Sequence, residues 1–192
     1  MKNIEDKDKN EFEKIMKEFT KIKEEGNELY KKKQIEIAKK RYMDGRDYYE
    51  KNVKSFLLSA SNEQYNDIIS IYVKILSNLA LCYYKQGQFK ESIIYDLEII
   101  AFNPKFAKSI VRLIRAYSKV NNTSTAVYMG KLFLDLEQDI KNKVKGIEEL
   151  ITEQKRKLKK IQNDEESKKK FIKFVPILIL LIAIIYKFIL KK

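Results

Sequence analysis

The sequence predicts an all-α protein made of repeated helix pairs, a long amphipathic helix and a final apolar helix. The chain of 192 residues contains only five Gly and two Pro, so it lacks the turn formers of a β-rich domain. From Glu11 onward, apolar residues recur with the three-to-four-residue spacing of α-helices. This pattern repeats with a period of 34 residues, which is typical of helical repeat proteins.

The first helix pair follows a polar N-terminus. Residues 1–10 are mostly charged or polar and are predicted to be disordered. Gly26 and Ala38 then mark the two helices of the pair, and small residues at Gly26 and at Ala80 let paired helices approach closely. The next equivalent position, Ala80, lies 54 residues after Gly26 instead of 34. An insertion at about residues 50–70 is therefore expected to lengthen the connection between the first and second pairs.

The second and third helix pairs follow at the regular spacing. In the second pair, Gly87 is expected to form the turn, and Pro104 marks the end of the pair. Ile114 lies 34 residues after Ala80 and marks the first helix of the third pair. The two pairs thus repeat one scheme of helix, turn and helix.

The turn of the third pair is predicted at residues 121–122, where two asparagines stand together. Asparagine is a frequent turn residue, and the following Thr123 or Ser124 is predicted to cap the next helix. The complete repeat domain is expected to span residues 11–138.

A long amphipathic helix is predicted over residues 139–170. Its apolar residues recur with helical spacing at Ile140, Val144, Ile147, Ile151, Leu158 and Ile161. The first half is expected to cap the last repeat, and the second half, with the basic run 155–160, to form a solvated stalk. A dimeric coiled coil through residues 139–161 is the alternative.

The C-terminal segment is predicted to be a transmembrane helix over residues 171–190. Residues 174–186 carry no charge, and residues 188–190 extend this apolar run past Lys187. The resulting 17 residues nearly span the hydrocarbon layer of a bilayer. Lysines flank the segment, where they can reach lipid headgroups: Lys168, Lys169, Lys170, Lys187, Lys191 and Lys192. Since the N-terminus does not resemble a signal peptide, we expect a tail-anchored protein that faces the cytosol.

Composition argues against catalysis. The chain has no histidine and one cysteine, Cys82, which removes the commonest general base and the usual metal-binding sets. We therefore expect no enzyme activity, cofactor, metal site or small-molecule substrate. Of the net charge of +13, most lies in residues 141–192, which hold 15 Lys and Arg against 6 Asp and Glu. Because this basic region lacks interleaved aromatic residues and adjoins the apolar segment, it favours membrane lipid over nucleic acid.

The small, aromatic and alanine positions of the three helix pairs resemble the tetratricopeptide repeat (TPR). The matching positions are Gly26, Tyr30 and Ala38, then Ala80, Phe89 and Ser92, then Tyr117 and Ala126. The resemblance implies an α-solenoid of three TPR helix pairs with a C-terminal capping helix. One departure is Lys33, which stands where a turn glycine is usual in the family.

Five polar residues on the first helices of the three pairs resemble the dicarboxylate clamp of TPR co-chaperones. The family pattern is Lys-x3-Asn, then Asn, then Lys-x3-Arg, and here it is filled by Lys23 and Asn27, by Asn78, and by Lys108 and Arg112. In the family, these side chains line the concave surface and hold the acidic C-terminal peptide of the heat-shock protein 90 or 70 class. The residue types suit this role because Lys, Arg and Asn donate hydrogen bonds to carboxylates.

The whole pattern is most similar to the TPR region of membrane-anchored immunophilins, but the isomerase domain is missing. The expected function is that of a tail-anchored adaptor, or co-chaperone, that binds a chaperone peptide at the mitochondrial outer membrane or the endoplasmic reticulum. Two alternatives stay open. The repeats could bind a helical segment of a membrane-remodelling or import component, or the chain could be a dimeric membrane tether instead of a monomer.

Overall fold

The computed structural model describes residues 2–136 and 146–164, and the side chains of residues 9–136 and 146–162. All regular structure in these residues is helical, which confirms the predicted all-α class. The α-helices are α1 (Lys2–Lys31), α2 (Ile35–Tyr48), α3 (Asn62–Lys85), α4 (Phe89–Phe102), α5 (Ala107–Lys119), α6 (Thr123–Leu134) and α7 (Ile147–Asp164). The chain divides into two compact units, and the boundary lies between Tyr83 and Tyr84, within α3.

The first unit is built on a tight turn between α1 and α2. Lys33 has a φ of 61°, in the left-handed region that glycine adopts most easily. The turn therefore forms with a lysine at this position. The amide of Gln34 closes the turn by donating to the carbonyl of Leu29 at 3.0 Å. The turn lies where the repeat pattern predicted one.

The insertion between the first two pairs forms part of the core of the first unit. Tyr49–Val53 is a single π-helical turn and Phe56–Leu58 a 3₁₀ turn. Tyr49 is fully buried and stacks on Tyr72 of α3, with ring centroids 3.9 Å apart. The extra residues thus continue α2 and lengthen α3, where the sequence had predicted a longer connection.

In the second unit, α4, α5, α6 and α7 share one apolar core. Its fully buried members include Ile110, Leu113, Ile114 and Ala116 of α5, Ala126, Met129 and Phe133 of α6, and Ile147 of α7. Ile151 of α7 lies against Gly130, where a Cβ atom would come within 2.9 Å of it. The first half of α7 is therefore packed onto α6, and the basic residues of its second half are exposed.

Two local predictions were wrong. The N-cap of α6 is Asn122, whose Oδ1 accepts from the amide of Thr125 at 3.3 Å, so Thr123 and Ser124 lie already inside the helix. Gly146 has a φ of 74°, which a right-handed helix does not admit, so no single helix runs through it. Helix α1 begins at Lys2, within the segment 1–10 for which the sequence predicts disorder.

Among the described helices, none has both the length and the apolar character needed to cross a bilayer. The predicted transmembrane segment, residues 171–190, lies outside the described residues together with its flanking lysines.

Candidate functional site

The five residues of the predicted clamp lie in both units. Lys23 and Asn27 of α1 and Asn78 of α3 belong to the first unit, and all three are partly exposed. Lys108 and Arg112 of α5 belong to the second unit, where Lys108 is exposed and Arg112 is buried. Within the described part of the chain, neither Lys23 nor Lys108 forms an ion pair.

The two asparagines of the first unit are in direct contact. Asn78 Nδ2 donates to Asn27 Oδ1 at 2.8 Å, although the two residues are 51 positions apart in sequence. The contact joins α1 to α3 within the first unit. The structure thus brings together the two asparagines that the sequence assigned to one site.

A third side chain, Tyr42 of α2, joins the asparagines. Its hydroxyl donates to Asn27 Oδ1 at 2.8 Å and lies 3.3 Å from Asn78 Nδ2, from which it accepts. Burial raises the pKa of the Tyr42 hydroxyl, so it stays protonated and remains a donor at neutral pH. Sequence reasoning missed Tyr42 as a polar residue because its spacing from Ala38 places both on the buried face of α2.

The Tyr42 ring is held in place by Gly26. A Cβ atom at Gly26 would clash with the ring, so glycine is what allows the ring to lie across α1 next to Asn27. Gly26, a residue of the repeat pattern, therefore leaves the space in which the Tyr42 ring packs, and this packing fixes the position of the Tyr42 hydroxyl.

Arg112 in the second unit is bound to a carboxylate of the same chain. Its Nε donates to Asp96 Oδ2 at 2.7 Å and its Nη2 to Asp96 Oδ1 at 2.5 Å, a bidentate pair. Asp96 is fully buried and Arg112 is 8% exposed. The guanidinium that the sequence assigned to a peptide carboxylate is thus already engaged by α4.

The surroundings of Asp96 are otherwise weakly polar. Burial raises the pKa of the Asp96 carboxyl, and the guanidinium of Arg112 and the nearby hydroxyls of Ser109 and Ser92 oppose that shift. Burial, together with the charge of Asp96, raises the pKa of Tyr117 to about 12. Asp96 was missed in the sequence, but it is a carboxylate between the apolar pairs Ile93–Ile94 and Ile99–Ile100, and such a position calls for a buried partner.

The described residues offer no grouping for a metal ion: no three of their His, Cys, Asp or Glu side chains converge. The polar groups that the structure does assemble are amide and hydroxyl groups in the first unit and an ion pair in the second. These groups can form hydrogen bonds with a ligand or stabilise the fold.

Solved structures that are similar to the chain include a TPR-containing domain and a co-chaperone. The C-terminal TPR-containing domain of an FK506-binding protein from Plasmodium falciparum has a TM-score of 0.60 and 21% identity, covering 79% of this chain and 95% of that domain. The Hsp90 co-chaperone Cns1 from Saccharomyces cerevisiae has a TM-score of 0.54 and 22% identity, covering 79% of this chain and 43% of Cns1. No family model matches the chain, and no curated protein matches it.

These likenesses define the class of the protein by its fold. Both similar structures are TPR proteins or co-chaperones, and the described helices follow the order of helix pairs that the repeat pattern predicted. The chain has the TPR fold, which confirms the prediction at that level.

Proposed function

We propose that this chain is a non-catalytic TPR adaptor that binds the acidic C-terminal peptide of a chaperone of the heat-shock protein 90 or 70 class. The observation that carries the proposal is the hydrogen bond between Asn27 and Asn78, because the clamp spacing assigned both residues to one groove and the bond shows that they lie close together. The likeness to a yeast protein described as an Hsp90 co-chaperone supports the same class of partner.

The chemistry of the proposed ligand matches the exposed groups. A peptide that ends in Asp presents a main-chain and a side-chain carboxylate, and each can accept charge-assisted hydrogen bonds from ammonium groups. Lys23 and Lys108 are the exposed or partly exposed cations of the proposed set. Asn27 adds neutral N–H donors, which give direction to the contact without adding charge, and Asn78 holds the Asn27 amide in place.

Arg112 has two roles in this proposal, one in binding the peptide and one in stabilising the fold. Its spacing after Lys108 fits the clamp, yet its bidentate pair with Asp96 makes it a residue of the fold as well. The first test therefore uses Asn78, whose removal leaves no buried charge behind.

The test is a titration of the full chain, in a mild detergent, with a peptide that ends in Glu-Glu-Val-Asp. We expect Asn78→Ala to weaken binding by about 1–3 kcal/mol, since it removes an amide from a site that holds a charged ligand. The matched control is Asn66→Ala, an exposed position on the same helix, which should leave the affinity unchanged. Isothermal titration calorimetry measures both.

The same peptide with an amidated C-terminus is the second control. Clear binding of the free acid and loss of binding with the amide support the proposal. Equal binding of both peptides, or no binding of either, contradicts carboxylate capture and favours the alternative of a helical partner segment bound through apolar contacts.

We further propose that residues 171–190 anchor the adaptor in a membrane, with the repeat domain in the cytosol. The support is the uncharged run 174–186 between lysine clusters, a pattern typical of an anchor at the mitochondrial outer membrane or the endoplasmic reticulum. After expression in cells, the full chain should stay in the membrane pellet at alkaline pH, whereas a chain that ends at residue 170 should be extracted. Extraction of both would refute the anchor.

A further inference from the structure

The hydroxyl of Tyr42 lies between the two asparagines of the proposed clamp, and the clamp pattern does not include it. Three polar side chains from three helices form a closed set: Tyr42 of α2 donates to Asn27 of α1, and Asn78 of α3 donates to both. The three distances are 2.8, 2.8 and 3.3 Å, all within hydrogen-bonding range.

This set fixes which way the Asn27 amide is turned. Its Oδ1 accepts from the Tyr42 hydroxyl and from Asn78 Nδ2, so both bonds are made on the oxygen side. A turned amide would place the Nδ2 hydrogens of Asn27 against the Nδ2 hydrogens of Asn78. The oxygen is therefore committed to the network, and the two N–H groups of Asn27 lie at the opposite edge of the planar amide.

The hydroxyl is itself held rigidly. Tyr42 is 1% exposed, and its ring is packed over Gly26, one residue before Asn27. A tyrosine has few rotatable bonds, so packing of the ring also fixes the position of its oxygen. Donors that are oriented before the ligand arrives bind more tightly, because less conformational freedom is lost on binding.

We propose that Tyr42 is the positioning residue of the clamp: together with Asn78 it holds the oxygen of Asn27, so that the N–H groups of Asn27 face an incoming peptide carboxylate. This inference rests on the proposed function, since it assigns a role within the same site. Tyr42 itself does not touch the peptide in this scheme. It acts through the Asn27 amide.

The test is the substitution Tyr42→Phe in the full chain, which keeps the ring over Gly26 and removes only the hydroxyl. The affinity for the Glu-Glu-Val-Asp peptide with a free C-terminus should fall roughly two- to twelvefold, the range expected for one neutral hydrogen bond. The wild-type preference for the free acid over the amidated peptide should shrink by the same factor. The control is Tyr48→Phe, a half-buried tyrosine of the same helix, which should leave both affinities unchanged.

A second measurement separates orientation from stability. In nitrogen-15 spectra, the side-chain amide signals of Asn27 and Asn78 should move or broaden in Tyr42→Phe and stay in place in Tyr48→Phe. The substitution Asn27→Asp provides a further check because a carboxylate oxygen can still accept from Tyr42 and Asn78. That variant should keep the network and the fold, yet lose binding, since its second oxygen repels the ligand carboxylate.

The outcomes separate the two proposals. If the wild type binds the free acid and Tyr42→Phe binds it equally well, with unmoved amide signals, the role of Tyr42 is refuted and the adaptor function stands. If the wild type does not distinguish the free acid from the amide, the proposed function fails and the role of Tyr42 fails with it.

Discussion

Replacing Arg112 with alanine is expected to lower the free energy of unfolding by about 3–5 kcal/mol, because it leaves the carboxylate of Asp96 buried without its counter-charge. Asp96 has no exposed surface, and both of its oxygens accept from the guanidinium. Chemical denaturation of the full chain, followed by the helical circular dichroism signal, measures the loss. The matched control is Arg115→Ala, an exposed arginine of the same helix, which should change stability by less than about 0.5 kcal/mol.

A double substitution shows whether the unpaired charge is the cause. Asp96→Leu combined with Arg112→Met removes both charges and keeps apolar side chains of similar size, so stability should return to within about 1–2 kcal/mol of the wild type. If the double variant is as unstable as Arg112→Ala alone, the ion pair does not account for the loss. The double variant also serves the binding assay, since a stable protein without the guanidinium tests directly whether Arg112 contacts the peptide.

The second large effect is expected at the contact between α6 and α7. Ile151→Ala should lower the free energy of unfolding by about 2–5 kcal/mol, because Ile151 is 1% exposed and its side chain fills the space over Gly130. The control is Ile161→Ala on the same helix, where the side chain is 42% exposed and its truncation opens no cavity. Thermal unfolding of the two variants measures the difference. Equal melting temperatures would show that the first half of α7 contributes nothing to the second unit.

The repeat register could be predicted from the sequence because it depends on spacing. Gly26, Gly87 and Ala80 recur where the fold needs a close approach or a turn, and the helices and turns follow them. Details that depend on one atom could not be predicted. Asn122 caps α6 because its Oδ1 reaches the amide of Thr125, and the neighbouring Thr123 and Ser124 have equally suitable oxygens in the sequence.

The insertion shows a second limit of sequence patterns. Its 20 extra residues have no counterpart in the 34-residue repeat. The repeat pattern therefore predicted an insertion but not its structure. Tyr49 lies at the start of a π-helical turn and is buried against Tyr72, a contact between residues 23 positions apart in sequence. Local periodicity does not contain such information.

For the candidate site, residue spacing predicted which residues belong together, but it did not predict which of them are buried. Asn27 and Asn78, which the spacing assigned to one groove, form a hydrogen bond. The spacing assigned Arg112 to a ligand but did not show that its guanidinium is paired with Asp96. Tyr42 was not singled out: its ring is in the core, whereas its hydroxyl reaches polar groups at the edge of that core. Residues with an apolar body and a polar tip are the ones for which a pattern of apolar and polar positions is least informative.

The buried insertion also bears on how quickly the first unit folds. In a regular helical solenoid, each pair contacts only its neighbours, so the chain closes short loops and folds rapidly. Here the rings of Phe19 and Tyr72 stack although they are 53 positions apart, with centroids 6.0 Å from each other. This contact requires a much longer loop to close before any energy is gained. The first unit is therefore expected to form more slowly than the second, so that a chain leaving the ribosome would complete its N-terminal repeat late.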